Sequence, residues 1–382
     1  MKHSNPPQGP RSMSRRQFLK LAATTGLVAG CSSVQPPAAA PASLPPDTPT
    51  AQPRTATPTS APSPTAQPST ATPISAPATV DRTDILKFYP DVPSKVVHAH
   101  HAGVWDGDRL SPEALRQMLD ASITELTGLN DAREAWAALF KPTEKVAIKV
   151  NAFQNSIIWT HAPLVAAVVA SLQEAGLPAE QIFIYDHLAV FQEAGYQVNK
   201  DGPGVRCLEE TGFSGKWKVA TNMLALSDTL QSCDALINMP VLKSHMISGL
   251  TFAMKNHYGS VQFPSMLHYP IDQSIAELNA LPPIKDRTRL VIGDVLEANL
   301  QYSSGWPYWE ADWKGDSILM SFDPVAHDAL GMQILEQLQT ENQAALSSML
   351  RDTATAYLKI AAELGLGTHD PQNMEVVEVK LG

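Results

Sequence analysis

Lys145-Val146-Ala147-Ile148-Lys149-Val150-Asn151 and Gln181-Ile182-Phe183-Ile184-Tyr185-Asp186 are two short apolar runs, each ending on a polar side chain. Residues 163–175 between them are apolar at helical spacing and close on Gly176, a helix-ending residue. Strand, helix, strand in that order requires a parallel pair joined by a crossover helix. The fold class follows: α/β, with a mainly parallel or mixed sheet flanked by helices.

Working outward, Ser111-Pro112-Glu113 combines a cap, a first-turn proline and an early acid. Leu115, Met118, Leu119, Ile123 and Leu126 then keep helical spacing. Residues 131–140 read as a second helix. Ala235-Leu236-Ile237-Asn238-Met239, Leu290-Val291-Ile292-Gly293-Asp294 and Ser317-Ile318-Leu319-Met320-Ser321-Phe322-Asp323 read as buried strands, and residues 374–379 as a last one. Residues 81–382 are thus long enough for one large domain or two lobes with a shared core.

Polar residues gather at the carboxyl ends of these strands: Asn151, Asp186 with His187, Lys243 with His245, Asp294 and Asp323. In open α/β sheets ligands bind in the crevice outside those ends. Each residue also has a plainer reading, and Asp323 before Pro324 is in helix-capping context. Lys243 and Lys255 lie in otherwise apolar stretches, where a cation costs solvation unless it meets an anion. That anion is either a ligand or a structural partner such as Asp186 or Asp294. His245 suits general acid/base work or metal ligation. Asn256 suits ligand orientation, or capping of the turn at Gly259. The expected catalytic set is Lys243, His245 and Lys255, and the expected ligand-binding set is Asn151, Asp186, Asn256, Asp294 and Asp323.

Lys149-Val150-Asn151, Pro240-Val241-Leu242-Lys243-Ser244-His245 and Met254-Lys255-Asn256-His257-Tyr258-Gly259, with Asp323-Pro324-Val325-Ala326-His327-Asp328, together resemble the domain-of-unknown-function 362 family. The likeness covers most of the chain after Pro142. It implies an architecture and a site, with no reaction attached. Several relatives carry a fused ferredoxin-like iron–sulfur module. This chain departs from them, because Cys207 and Cys233 are its only cysteines beyond Cys31.

The amino-terminal part has a different character. Ser14-Arg15-Arg16-Gln17-Phe18-Leu19-Lys20 resembles a twin-arginine export signal. The apolar run after it is about twelve residues, too short to span a bilayer, which needs about twenty. Val28-Ala29-Gly30-Cys31 resembles a lipobox, with Cys31 as the acylated residue. Residues 1–30 are therefore expected to be a leader. Residues 31–80, almost wholly Pro, Ala, Thr and Ser, are expected to be a disordered spacer. These readings predict an extracytoplasmic protein held on the outer face of a bacterial membrane by lipid, with the twin-arginine machinery as export partner.

The formal charge is −10, and the leader's Lys2, Arg11, Arg15, Arg16 and Lys20 are lost on cleavage without any acid. An acidic mature surface argues against nucleic acid as a partner. Cys207 and Cys233 read as either a disulfide or two buried thiols. His98 and His100 would share a strand face. Yet nothing matches HExxH, paired CxxC or an EF-hand loop, so no metal ligands and no cofactor are assigned. GxGxxG, GxxxxGK[ST] and GxSxG are also missing. Three functions fit: an enzyme acting on a small anionic molecule, a tethered ligand-binding protein, or a metal or redox-cofactor protein working with an iron–sulfur partner. The sequence leaves the oligomeric state open.

Overall fold

The computed structural model describes residues 82–344 and 348–382. The expected leader, Cys31 and the spacer lie outside the described residues. In chain order the strands are β1 (Ser94–His101), β2 (Trp105–Asp106), β3 (Arg109–Leu110), β4 (Val146–Lys149), β5 (Ile182–Asp186), β6 (Arg206–Glu209), β7 (Phe213–Val219), β8 (Asn222–Ser227), β9 (Ala235–Asn238), β10 (Val241–His245), β11 (Gly249–Thr251), β12 (Thr288–Asn299), β13 (Trp313–Ser321) and β14 (Met374–Leu381).

Ten of them form one mixed sheet in the order β14-β1-β13-β12-β9-β4-β5-β6, with β10 paired to β12 and β11 to β10. The β4–β5 pair is parallel, with Ile148 opposite Ile184, and the helix Ala162–Glu174 makes the crossover. β9 and β10 also run parallel to β12, while β13 is antiparallel to both β12 and β1. Of the ten, β13 and β11 run against the rest.

Alternation along the strands feeds two cores, one on each face. Val146 and Ile148 of β4 pack with Leu115, Met118, Trp136 and Val168 of the helices Pro112–Thr127, Ala132–Leu139 and Ala162–Glu174. Ala147, between them, packs on the opposite side with Ile275, Leu335, Tyr357 and Leu358. Those four come from the helices Ile271–Asn279, Pro324–Glu341 and Ser348–Glu363. The sheet is thus covered on both faces, which is why its central strands are apolar throughout. The expected cap forms, with Ser111 Oγ accepting the Ala114 N–H, and Asp131, read as helical, instead caps the second helix by accepting the N–H of Glu134. Each such cap contributes about 1 kcal/mol.

Cys207 and Cys233 are buried free thiols, which settles the choice left open by the sequence. Burial pushes them up to about 12 and about 11, so both act as small inert hydrophobes.

Candidate functional site

Pro240 has no N–H to give, and the sheet ladder breaks there. The chain leaves β9 and resumes as β10 farther along β12, with Val241 opposite Asp294 and Lys243 opposite Asn299. Lys243 and His245, two apart on this strand, share one face. A hairpin into β11 follows, and its backbone fixes the imidazole. His245 Nδ1 accepts the N–H groups of Ile247 and Ser248, at 3.1 and 3.2 Å. A neutral His245 therefore carries its proton on Nε2.

The long connection between β12 and β13 returns over this strand with aromatic side chains. Trp309 donates its indole N–H to Ser244 O at 2.8 Å and stacks on the His245 ring at 5.7 Å. Tyr302 and His268 pack on the same imidazole at 5.7 and 5.8 Å. Lys243 Nζ lies 5.0 Å from the Trp309 ring centre, a cation–π distance.

Beneath this wall is a buried polar network. Lys243 Nζ donates to Asn151 Oδ1 at 2.7 Å, and Asn151 Nδ2 reaches Asn256 Oδ1 at 3.5 Å. The same Asn256 oxygen accepts from Lys149 at 3.2 Å, while its Nδ2 donates to Asn238 Oδ1 at 2.8 Å. Lys149 completes its donors on Val150 O at 2.6 Å and on the Asp186 carboxylate at 2.8 Å. Asp186 also accepts the N–H groups of His187 and Ala152. The structural partner expected for Lys243 or Lys255 is thus taken by Lys149.

Lys255 is held differently. The short helix Ala253–Asn256 hangs from Asp328, whose two carboxylate oxygens accept the N–H groups of Ala253 and Met254 at 2.7 and 3.0 Å. Phe252 wedges the turn against the sheet. A Cβ on Gly293 would fall 2.4 Å from its ring and one on Gly331 would fall 2.5 Å from it. So placed, Lys255 is 6% exposed. Among the described residues its amine has no hydrogen bond or ion pair, and meets only the Tyr258 ring at 5.3 Å.

The electrostatics follow from this geometry. Burial lowers the pKa of Lys243 to about 7, aided by Lys149 and opposed by Asp186. Burial and then Lys243 hold Lys255 well below the usual lysine range. Burial, with Lys255, His268 and Lys243 nearby, holds His245 well below an ordinary imidazole. His245 is therefore a neutral Nε2–H donor near pH 7. Its remaining lone pair is spent on the hairpin, which leaves proton exchange to the lysine amines, of which Lys243 lies at about 7.

Asn151, Asp186, Lys243, His245, Lys255 and Asn256 meet in this one basin. Two other expected residues do not join it. Asp294 accepts the His161 N–H and ring N–H through Oδ2 and the Leu296 N–H through Oδ1. Burial opposes the charge on His161, but Asp294 and Glu297 override it and raise the imidazole to about 10. Asp323 follows an antiparallel strand, so it sits at the opposite end of the strands from the basin. There it caps the helix Pro324–Glu341 through the N–H groups of Val325 and Ala326, and also accepts from Ser94 and Thr368. Lys149, Asn238, Tyr258, His268, Tyr302, Trp309 and Asp328 were not singled out from the sequence. For Lys149 a signal existed: a lysine between Ile148 and Val150 violates the apolar run as much as Lys243 does.

Residues 146–333 match a family model described as Domain of unknown function (DUF362), and every residue of the basin falls in that span. No curated protein matches the chain. Among solved structures, the chain is similar to a crystallised protein from Thermotoga maritima, at 11% identity and a TM-score of 0.37, over 63% of this chain and 61% of that one. It is also similar to the lactate racemase apoprotein from Thermoanaerobacterium thermosaccharolyticum, at 8% identity and a TM-score of 0.37, over 62% and 56%. The chain spans less than two thirds of the length of either.

Proposed function

We propose that this domain binds a small anionic molecule, a carboxylate or a phosphate ester, between Lys243, Lys255 and the Nε2–H of His245. The observation that carries this reading is Lys255, 6% exposed, whose amine has no hydrogen bond or ion pair among the described residues, beside Lys243, whose own partner is an uncharged amide. Asp186, the carboxylate that acts on Lys243, is already paired with Lys149. Two buried amines without a counter-ion are costly, and a bound anion offsets that cost.

Within this reading the roles divide by protonation. Lys255 and His245 hold the negative oxygens. Lys243, balanced between its two forms near neutrality in the empty site, gains a proton as the anion binds and can deliver it to the bound molecule. Trp309 and Tyr302 supply an apolar wall for the carbon part of the ligand. A protein that only carries its ligand would use the same anion contacts and have no need of Lys243 as a proton donor.

Titration calorimetry with a panel of small carboxylates and phosphate esters tests the assignment. The wild-type protein is expected to bind at least one class at micromolar levels. Lys255→Met is expected to weaken that binding more than tenfold, whereas Lys243→Met is expected to abolish turnover. Equal binding by the wild type and both variants would overturn it.

The same proposal places the domain outside the cytoplasm, tethered through Cys31 after export on the Arg15-Arg16 signal. Its support is the ordered pair of motifs and the Pro-rich spacer. Cys31→Ala is expected to move the protein from the membrane to the soluble fraction. Retention in the membrane would overturn the tether.

A further inference from the structure

Four side chains converge far from that basin, at the edge of the sheet where β14 pairs with β1. His98 and Glu378 are direct register partners across the parallel pair, and His100 lies two residues along the same face of β1. His98 Nδ1 is 3.0 Å from Glu378 Oε1, and His100 Nε2 is 3.2 Å from Glu378 Oε2. The other nitrogen of His100, Nδ1, is 3.0 Å from Asp316 on β13. The two imidazole rings are 4.0 Å apart.

We propose that His98, His100 and Glu378 bind a divalent transition metal, with zinc as the best-matched ion, and that Asp316 orients His100 from behind. Two imidazoles and one carboxylate form a donor set that zinc accepts, leaving a fourth position for water or an outside ligand. Bonds of ~2.0–2.1 Å in a tetrahedron put ligand atoms ~3.3 Å apart; the imidazole–carboxylate separations, each to a different oxygen of Glu378, are close to that, so the carboxylate faces both rings. All three donor atoms lie within 4.8 Å of one another.

The arrangement behind one donor, His100, favours a metal over a chance ion pair, while the Nε2 of His98 has no partner among the described residues. A ligating histidine usually offers its other N–H to a carboxylate, which fixes tautomer and ring angle. Asp316 does this for His100. Exposure is graded, with the side chain of His98 12% open and that of Glu378 48% open, so an ion has a route in. A metal here would tie the last strand of the chain to β1.

Calorimetric titration of zinc into the chelator-stripped full chain tests this. The wild type is expected to bind one more equivalent of zinc than the His98→Ala/His100→Ala double variant. Asp316→Asn is expected to weaken that equivalent about tenfold. Cobalt substituted at the site is expected to give the visible absorption of a four-coordinate ion. Should the double variant fold poorly, Glu378→Gln on the exposed edge strand takes its place and is expected to lose the same equivalent. Unchanged stoichiometry and affinity in these variants would overturn the site, as would a wild type that takes up no zinc.

Discussion

Gly259 lies against the Asp186 carboxylate so closely that a Cβ there would fall 2.0 Å from Oδ1. The same atom would fall 2.7 Å from Lys149 Nζ. The Met254-Lys255-Asn256-His257-Tyr258-Gly259 segment thus ends on a glycine because a buried ion pair occupies the space of a side chain. The pair in turn supports Asn256, and Asn256 supports Asn151 under Lys243.

Gly259→Ala is therefore expected to act on the ion pair before anything else. Overpacking costs about 1–3 kcal/mol and separating a buried pair about 3–5. A loss of ~3 kcal/mol or more is expected in urea unfolding. A midpoint unchanged from wild type would show that the segment yields and that the pair does not depend on the missing Cβ.

Lys255→Met is expected to have two opposite effects. The unfolded chain holds the lysine proton near pH 7 more firmly than the folded one, so the lysine destabilises the empty fold. Replacing it by an apolar chain of similar length should stabilise the empty protein by ~1 kcal/mol or more, while anion affinity falls. Stability given up for a binding group is a common mark of functional sites. If the variant melts lower than wild type and binds equally well, Lys255 is a packing residue.

Much of this was legible in the chain because the strands are short apolar runs and the helices carry their own caps. The β4–β5 crossover, the helix after Ser111 and the strand expected at 374–379, which runs on to Leu381, all follow from local pattern. Strand direction does not. Residues 300–312, between β12 and β13, carry no mark of whether the chain turns back or crosses over, and it turns back. That reversal alone moves Asp323 from the expected rim to the other end of the strands. Which lysine meets Asp186 was equally hidden, since Lys149, Lys243 and Lys255 all stand in apolar surroundings and only the packing chooses. The aromatic wall belongs to the returning loop, where Tyr302, Tyr308 and Trp309 cluster in sequence without stating what they cover.

Ligand binding should depend on pH through Lys243. Its folded pKa, about 7, is below the ordinary lysine value of 10.5. A bound anion favours the charged amine and raises that value. Binding should thus take up protons above about pH 7, and affinity should fall as pH rises. In the empty protein the sign is the reverse: between about 7 and 10.5 the unfolded chain binds more protons, so this group's contribution to stability improves with pH. Calorimetry in buffers of different ionisation enthalpy measures the uptake directly. Binding enthalpies that do not vary with the buffer would remove Lys243 from the anion's surroundings.

Asp323 offers the complementary case, a buried carboxylate with a structural task. Burial raises it to about 6, opposed by donors from Ser94, Ala326, Thr368 and Val325. Between the ordinary value of 3.8 and about 6 the folded state binds more protons than the unfolded one. Its contribution to stability is therefore greatest in acid and declines as pH climbs through that window. Asp323→Asn should remove this slope. Asp323→Ala leaves four donors without their acceptor and should cost about 2–4 kcal/mol. Both variants, compared under conditions where they are folded, should bind the anion as tightly as wild type, because the capped helix end and the lysine basin lie at opposite ends of the strands. A tenfold loss of affinity in Asp323→Asn would mean that the two ends are coupled through the helix Pro324–Glu341, which also carries Asp328 and through it the turn bearing Lys255.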